Sequence, residues 1–162
     1  MIIHVVAFDQ NKGIGLGNRL PWHFPEDLKH FFQLTRDKPI FIGFNTYLSL
    51  LEYAKNREEL LPTRHVHVVL TRYLPVNVPI KRGVSFIDKT LVDLYVKEGK
   101  TIIIAGGTSM YTNYPPDVVL ATEVQASYSC DTHYPVNLDT FLKFSIKESL
   151  TPDQLHYNMY CK

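Results

Sequence analysis

Six apolar, mostly β-branched runs punctuate the chain: residues 2–8 (IIHVVAF), 39–43 (PIFIG), 65–70 (HVHVVL), 84–87 (VSFI), 101–105 (TIIIA) and 118–124 (VVLATEV). They are nearly continuous and do not alternate, which predicts strands covered on both faces, as in a parallel sheet flanked by helices. Helical patterns lie between them. In PEDLKHFFQL (25–34) Leu28, Phe31 and Phe32 share one side, and Glu26 stands at ion-pairing distance in sequence from Lys29 or His30. NTYLSLLEYAK (45–55) follows the second run, TLVDLYVKEG (90–99) ends in a glycine stop, and TSMYTNY (108–114) follows the fifth. The tail alternates instead: FSIKESL (144–150) and HYNMYCK (156–162), joined by TPDQ, predict an antiparallel hairpin at one sheet edge. This alternation of strand and helix predicts one α/β domain of right-handed crossovers, residues 1–162. The segment from about residue 39 to 88 forms a candidate subdomain within it.

Composition narrows the partners. A net charge of +1 gives no reason to expect nucleic acid or an anionic membrane, although local cations can still hold a small anion. Cys130 and Cys161 lack metal-type or redox-type spacing and read as reduced thiols of a cytoplasmic protein. The start, MIIHVVAFD, carries no basic leader and reads as a buried first strand. No helical face is left over for a partner, so a monomer is expected.

Three strand ends offer anion-binding chemistry. In TIIIAGGTSMY, Gly106-Gly107 followed by Thr108 and Ser109 opens a helix with free backbone N–H groups, which either bind phosphate or make an ordinary tight turn. In GFNTYLSL, Gly43 leads into Asn45-Thr46, a second such mouth or a plain helix cap. Two mouths on one open α/β sheet favour a dinucleotide, outside the carboxyl ends of the strands. In LTRYLP, Thr71 beside Arg72 suits a phosphate monoester such as the 2′-phosphate of NADPH, or Arg72 is a solvated surface group. Cys130, Asp131 and His133 lack a second ligand pair at zinc spacing, and His65 and His67 share a strand face compatible with packing or an exposed edge, so no metal is expected. No nucleophile elbow is present.

Asp27 is the ambiguous residue. In a helix's first turn it complements the macrodipole. It also lies one turn before Phe31, behind Leu20 and Trp22, where a carboxylate is partly desolvated unless ligand N–H groups pair with it. A flat heterocycle with an amidine-like edge would supply two such donors.

Taken together, these motifs resemble the dihydrofolate reductase family over nearly the whole chain. The resemblance rests on Ile14-Gly15, Asn18, Leu20-Pro21-Trp22, Pro25 and Asp27, then on Lys38 to Thr46, Leu61 to Arg64, Val69 to Arg72, Gly106 to Tyr111 and Asp131 to Pro135. It implies an eight-stranded, mostly parallel sheet with four helices, and hydride transfer from NADPH to C6 of dihydrofolate, giving tetrahydrofolate. Water carries the proton to N5, promoted by Asp27, which Thr122 supports. Leu20 and Trp22 complete the catalytic set. Val5, Val6, Ala7, Leu28, Phe31, Leu50, Leu61, Ala105 and Tyr111 wall the folate, and Arg64 grips its α-carboxylate. Gly13 to Leu20 form a lid. NADPH is held by Ala7, Ile14, Gly15, Asn18, Leu20, Gly43, Phe44, Asn45, Thr46, Leu70, Thr71, Arg72, Ala105, Gly106, Gly107, Thr108, Ser109, Met110, Tyr111 and Thr132, with an adenosine-binding subdomain at about 39–88. A related pterin or pyrimidine reductase and a catalytically silent binding module are the alternatives.

Three departures from the family pattern matter. Phe44 and Ser109 stand where the family usually or often carries a cation, which shifts the phosphate contacts toward Thr71 and Arg72. One extra residue separates Arg64 from VLTR, so either a bulge restores Arg64 or His65 takes its place. The unchanged offset from Leu61-Pro62 favours Arg64.

Overall fold

Strand β1 (Ile2–Phe8) lies in the middle of an eight-stranded sheet, paired in parallel with β6 (Ile102–Ile104) on one side and β7 (Val118–Val124) on the other. The structure, a computed structural model, describes residues 1–54, 65–71, 74, 77–79 and 81–162, with Tyr53 and Ala54 through their backbone alone. Beyond β6 come β3 (Ile40–Gly43), β4 (Val66–Leu70) and β5 (Val84–Asp88), all parallel. Beyond β7 come β10 (Leu155–Cys161) and β9 (Leu142–Lys147), each antiparallel to its predecessor in the sheet. The expected mostly parallel sheet closed by a terminal hairpin is therefore present. The hairpin connection is longer than TPDQ, running over residues 148–154.

The helices are α1 (Pro25–Leu34), α2 (Phe44–Ala54), α3 (Lys89–Lys97) and α4 (Thr108–Asn113) among the described residues. Their limits follow from capping chemistry. Asp88 accepts the Thr90 N–H at 2.7 Å to start α3, and Gly99, at φ +74°, closes it. The β-branched runs bury both faces because successive residues point opposite ways. Ile40 and Ile42 join Tyr47 and Leu50 on the side that Phe31 also packs against, while Phe41 between them joins Val92 and Met110 on the other. Each such buried side chain contributes roughly 1.5–3 kcal/mol. His67, half-buried, stacks on Phe41 with ring centroids 4.8 Å apart, so packing accounts for it.

Two features depart from the sequence pattern. Gly13–Gly15 (β2) and Thr132–His133 (β8) form a separate two-stranded sheet, too short for any hydrophobic period to register. Glu26 makes no ion pair with Lys29 or His30; its carboxylate accepts hydrogen bonds from Ser149, Leu150 and Thr151 on the β9–β10 connection.

His4, a polar residue inside the first apolar run, is fully buried. Its Nε2 lies 2.6 Å from the Tyr114 carbonyl, which can only accept, so Nε2 carries the proton and Nδ1 accepts from the Tyr134 hydroxyl at 2.9 Å. Burial lowers its pKa from 6.5 to about 4, against the opposing pull of the Tyr114 carbonyl. Between those values the unfolded chain binds a proton that the folded chain does not, so stability falls as pH falls through this window. His4 alone is expected to remove up to about 3 kcal/mol over it. His4→Leu leaves the Tyr114 carbonyl and Tyr134 hydroxyl unpaired and should cost about 2–3 kcal/mol at pH 7. The same variant should flatten the dependence between pH 6.5 and 4, read by urea unfolding. Parallel curves for parent and variant would contradict the assignment.

Candidate functional site

The carboxyl ends of β1, β3, β4, β6 and β7 open onto one cavity of about 880 Å³. Its glycine-rich side is assembled from the turns after β3 and β6. Gly43 donates its N–H to the Gly106 carbonyl at 2.9 Å, tying the two mouths together. Gly106 has φ +138°, and a Cβ there would lie 2.7 Å from Thr46 Oγ1. Only glycine meets both conditions. No side chain caps α4, which begins after Gly107, so its first N–H groups are left to the cavity side.

Asp27 closes the opposite side. Pro25 sits in the first turn of α1 with its φ preset for a helix, and the Asp27 N–H bonds the Phe24 carbonyl at 3.0 Å. Asp27 thus has the first-turn position that suits an acid. It is also buried, 7% exposed, in a wall of Val5, Val6, Ala7, Leu20, Trp22, Leu28, Phe31 and Leu50. Burial raises its pKa, a hydrogen bond from Thr122 opposes the rise, and the charge of Glu26 adds to it. Tyr111 is locked beneath this wall by its hydroxyl, which donates to the Val5 carbonyl at 2.8 Å.

Gly13 to Leu20 lie across the mouth. β2 pairs with β8, and a tight turn joins Leu16 to Arg19 through reciprocal bonds of 2.8 and 3.1 Å. Gly17 and Asn18 at its tip have φ of 57° and 62°. The Gly17 N–H donates to Asp131 at 3.0 Å, while on the far side Ser49 donates to the Asn18 carbonyl. An exposed Arg19–Glu52 pair at 3.5 Å adds little.

Every expected site residue that the structure describes lines this cavity: besides those named above, Ile14, Gly15, Asn18, Phe44, Asn45, Leu70, Thr71, Ala105, Gly107, Thr108, Ser109, Met110 and Thr132. Leu61, Arg64 and Arg72 lie outside the described residues. His65 is exposed and is not among the described residues that line the cavity. Sequence reasoning missed Arg19, His23, Phe24, His30, Ser49, Val69, Lys89, Asn113 and Tyr114, which also line it. Lys89 reaches it because Leu70 pairs with Asp88, setting the α3 start beside Thr71, a register the sequence does not print.

The dihydrofolate reductase family model matches residues 1–161. The chain belongs to the dihydrofolate reductase family. Dihydrofolate reductase type 9 of Escherichia coli is 30% identical over 149 residues, covering 83% of this chain and 76% of that one. A protein of Mycoplasmoides gallisepticum described as segregation and condensation protein A is 29% identical over 148 residues. That alignment takes in 91% of this chain, which spans only 24% of the longer relative. Among solved structures, dihydrofolate reductase from Enterococcus faecalis complexed with NADP(H) superposes with a TM-score of 0.71. It covers 99% of this chain and 95% of that one at 22% identity, which establishes the shared fold.

A buried carboxylate with a raised pKa costs the unliganded fold stability as it ionises. Its contribution is intact below pH 3.8 and declines as pH rises through the higher folded value. Asp27→Asn should therefore make the ligand-free protein more stable than the parent at pH 7, and the gain should vanish near pH 3.5. Denaturant titrations at both pH values check this; a variant less stable at pH 7 would contradict it.

Proposed function

We propose that the protein reduces dihydrofolate to tetrahydrofolate using NADPH. The observation that carries the reading is a buried carboxylate, Asp27, at one end of a large cavity whose other end is built from backbone amides and glycines. A folate pterin has an amidine-like edge that offers N–H groups to Asp27, and its flat ring suits the Phe31 side of the pocket. Such pairing offsets the desolvation of Asp27 and gives the pocket its preference for the pterin. Arg64, by its offset in sequence, holds the α-carboxylate of the substrate. The exposure of His65 supports Arg64 over its neighbour.

The fit of NADPH is supported by the joined glycine turns, where the Thr46 side chain approaches Gly106 too closely for any Cβ there. Gly43, Thr46, Gly107, Thr108 and Ser109 would hold its pyrophosphate, and Thr71 with Arg72 its 2′-phosphate, in an adenosine-binding part spanning about residues 39–88. Bound there, the cofactor supplies a hydride. Asp27 does the remaining work of the chain: ionised and paired with the pterin, it raises the basicity of N5, which takes its proton from water. Leu20 and Trp22, with the lid from Gly13, exclude other water and hold the rings in contact, which can remove several kcal/mol from the barrier.

Oxidation of NADPH in the presence of dihydrofolate tests the reading. Asp27→Asn should lower hydride transfer about a hundredfold or more at pH 7, and by less at acidic pH where solvent protonates the substrate. Parental activity at pH 7 would return Asp27 to a helix-start role. Arg64→Leu should raise the KM for dihydrofolate about tenfold or more with NADPH affinity unchanged, while His65→Leu should change little. The reverse order would assign the grip to His65, and no change in either would favour a tail-less pterin or pyrimidine as substrate.

A further inference from the structure

The helix that carries Asp27 has no side-chain cap of its own, since Phe24 occupies the cap position. What holds its first turn comes from the far end of the chain. Glu26 Oε1 accepts from the Ser149 hydroxyl at 3.0 Å and from the Leu150 N–H at 2.8 Å, and Oε2 accepts from the Thr151 hydroxyl at 3.2 Å. The turn is pre-arranged for this, because Ser149 Oγ itself accepts the Thr151 N–H at 2.9 Å. Burial works to raise the Glu26 pKa, but the Leu150 N–H and the hydroxyl donors outweigh it and hold the group below the usual range, so it is ionised at neutral pH.

Other groups face this pair of carboxylates. His30, on the same helix, lines the cavity and packs on the Tyr157 ring of β10 at 4.1 Å. Its pKa is lowered to about 4, by burial first and then by Lys147, so it is neutral near pH 7. Lys147 of β9 sets its ammonium 4.9 Å from the Tyr157 ring, and the Tyr157 phenol is pushed up by burial and by both carboxylates. Thr122 of β7 contributes a neutral hydroxyl. Neither His30 nor Tyr157 changes charge between pH 6 and 9, whereas Glu26 is a fixed negative charge one residue from Asp27.

We propose that Glu26 is a positioning residue for the reduction. Its clamp on the Ser149–Thr151 turn fixes the first turn of α1 and so aims the Asp27 carboxylate, and its charge favours a proton in the site. The inference rests on the role of Asp27 proposed above, and it makes the terminal hairpin part of the substrate machinery although no residue of that hairpin lines the cavity.

Charge and clamp separate by substitution. Glu26→Gln removes the charge and keeps an acceptor, whereas Glu26→Asp keeps the charge and shortens the reach. Ser149→Ala with Thr151→Ala removes two donors and leaves Glu26 itself. Single-turnover NADPH oxidation with dihydrofolate from pH 6 to 9 should show the alkaline midpoint of hydride transfer lowered by about half to one pH unit in Glu26→Gln. In Glu26→Asp and in the double variant that midpoint should stay near the parental value while the KM for dihydrofolate rises about three- to tenfold, with NADPH affinity unchanged. A midpoint unmoved in Glu26→Gln and a KM unmoved in the double variant, with only the melting temperature lowered, would overturn the proposal and leave the clamp structural. Asp27→Asn is the control: if it changes the pH profile that the Glu26 variants leave alone, the inference about Glu26 alone fails. Parental activity in Asp27→Asn would remove the reading beneath both.

Discussion

Desolvation of one carboxylate is the constraint around which the site is arranged. An ionised acid buried without partners is expensive, and proteins ordinarily avoid it by neutralising or pairing the group. Here the fold keeps Asp27 buried and gives it one hydroxyl partner, Thr122, from a strand next to the centre of the sheet. The remaining bonding capacity of the carboxylate is left for a ligand. In the proposed reading the free protein carries a destabilising feature that a pterin with paired N–H groups would relieve, and that relief would distinguish the intended ring from other flat apolar molecules.

Holding such a group in place requires rigidity from several directions. Pro25 presets the start of α1, Trp22 packs with Val124, Leu155 and Tyr157, and Glu26 ties the same turn to residues 149–151. Across the cavity the contact of Gly43 with Gly106 joins two crossovers from different parts of the chain, so the two ends of the cavity are fixed against each other through β3, β6 and β1. The turn from Leu16 to Arg19, across the mouth of the cavity, differs in kind. Its tip is held by a backbone bond to Asp131 and by Ser49 through the Asn18 carbonyl, with no apolar anchor at Gly17 among the described residues, and such contacts can be exchanged at low cost.

Much of this was legible in the chain because its signals are strong and local. The runs Ile2–Phe8 and Val118–Val124 are long and β-branched, and they became neighbouring strands with the limits their composition marks. The glycines at 43, 106 and 107 stand where β3 and β6 hand over to the helices that follow them. Other features carry no local signal. β2 and β8 are defined by pairing across the fold, not by their own residues. Glu26 looks like a partner for Lys29 until the hairpin brings Ser149 to it from 123 residues away. Lys89 reaches the cavity through strand register, and His30, which the sequence offers as an ion-pair partner for Glu26, packs instead on Tyr157 of β10. Asp27 is the intermediate case. Its helix-start role is written in the sequence, its burial is a property of the fold, and both hold at once.

The ionisation of Asp27 itself tests its desolvation most directly. The chemical shift of its carboxyl carbon, identified by its loss in Asp27→Asn, can be followed against pH in the ligand-free protein. The expected midpoint lies clearly above the ordinary value of 3.8, because the group is buried with one hydroxyl partner beside the charge of Glu26. A midpoint at or below 3.8 would mean that Asp27 is already solvated or paired, and the desolvated carboxylate could not be what selects the substrate.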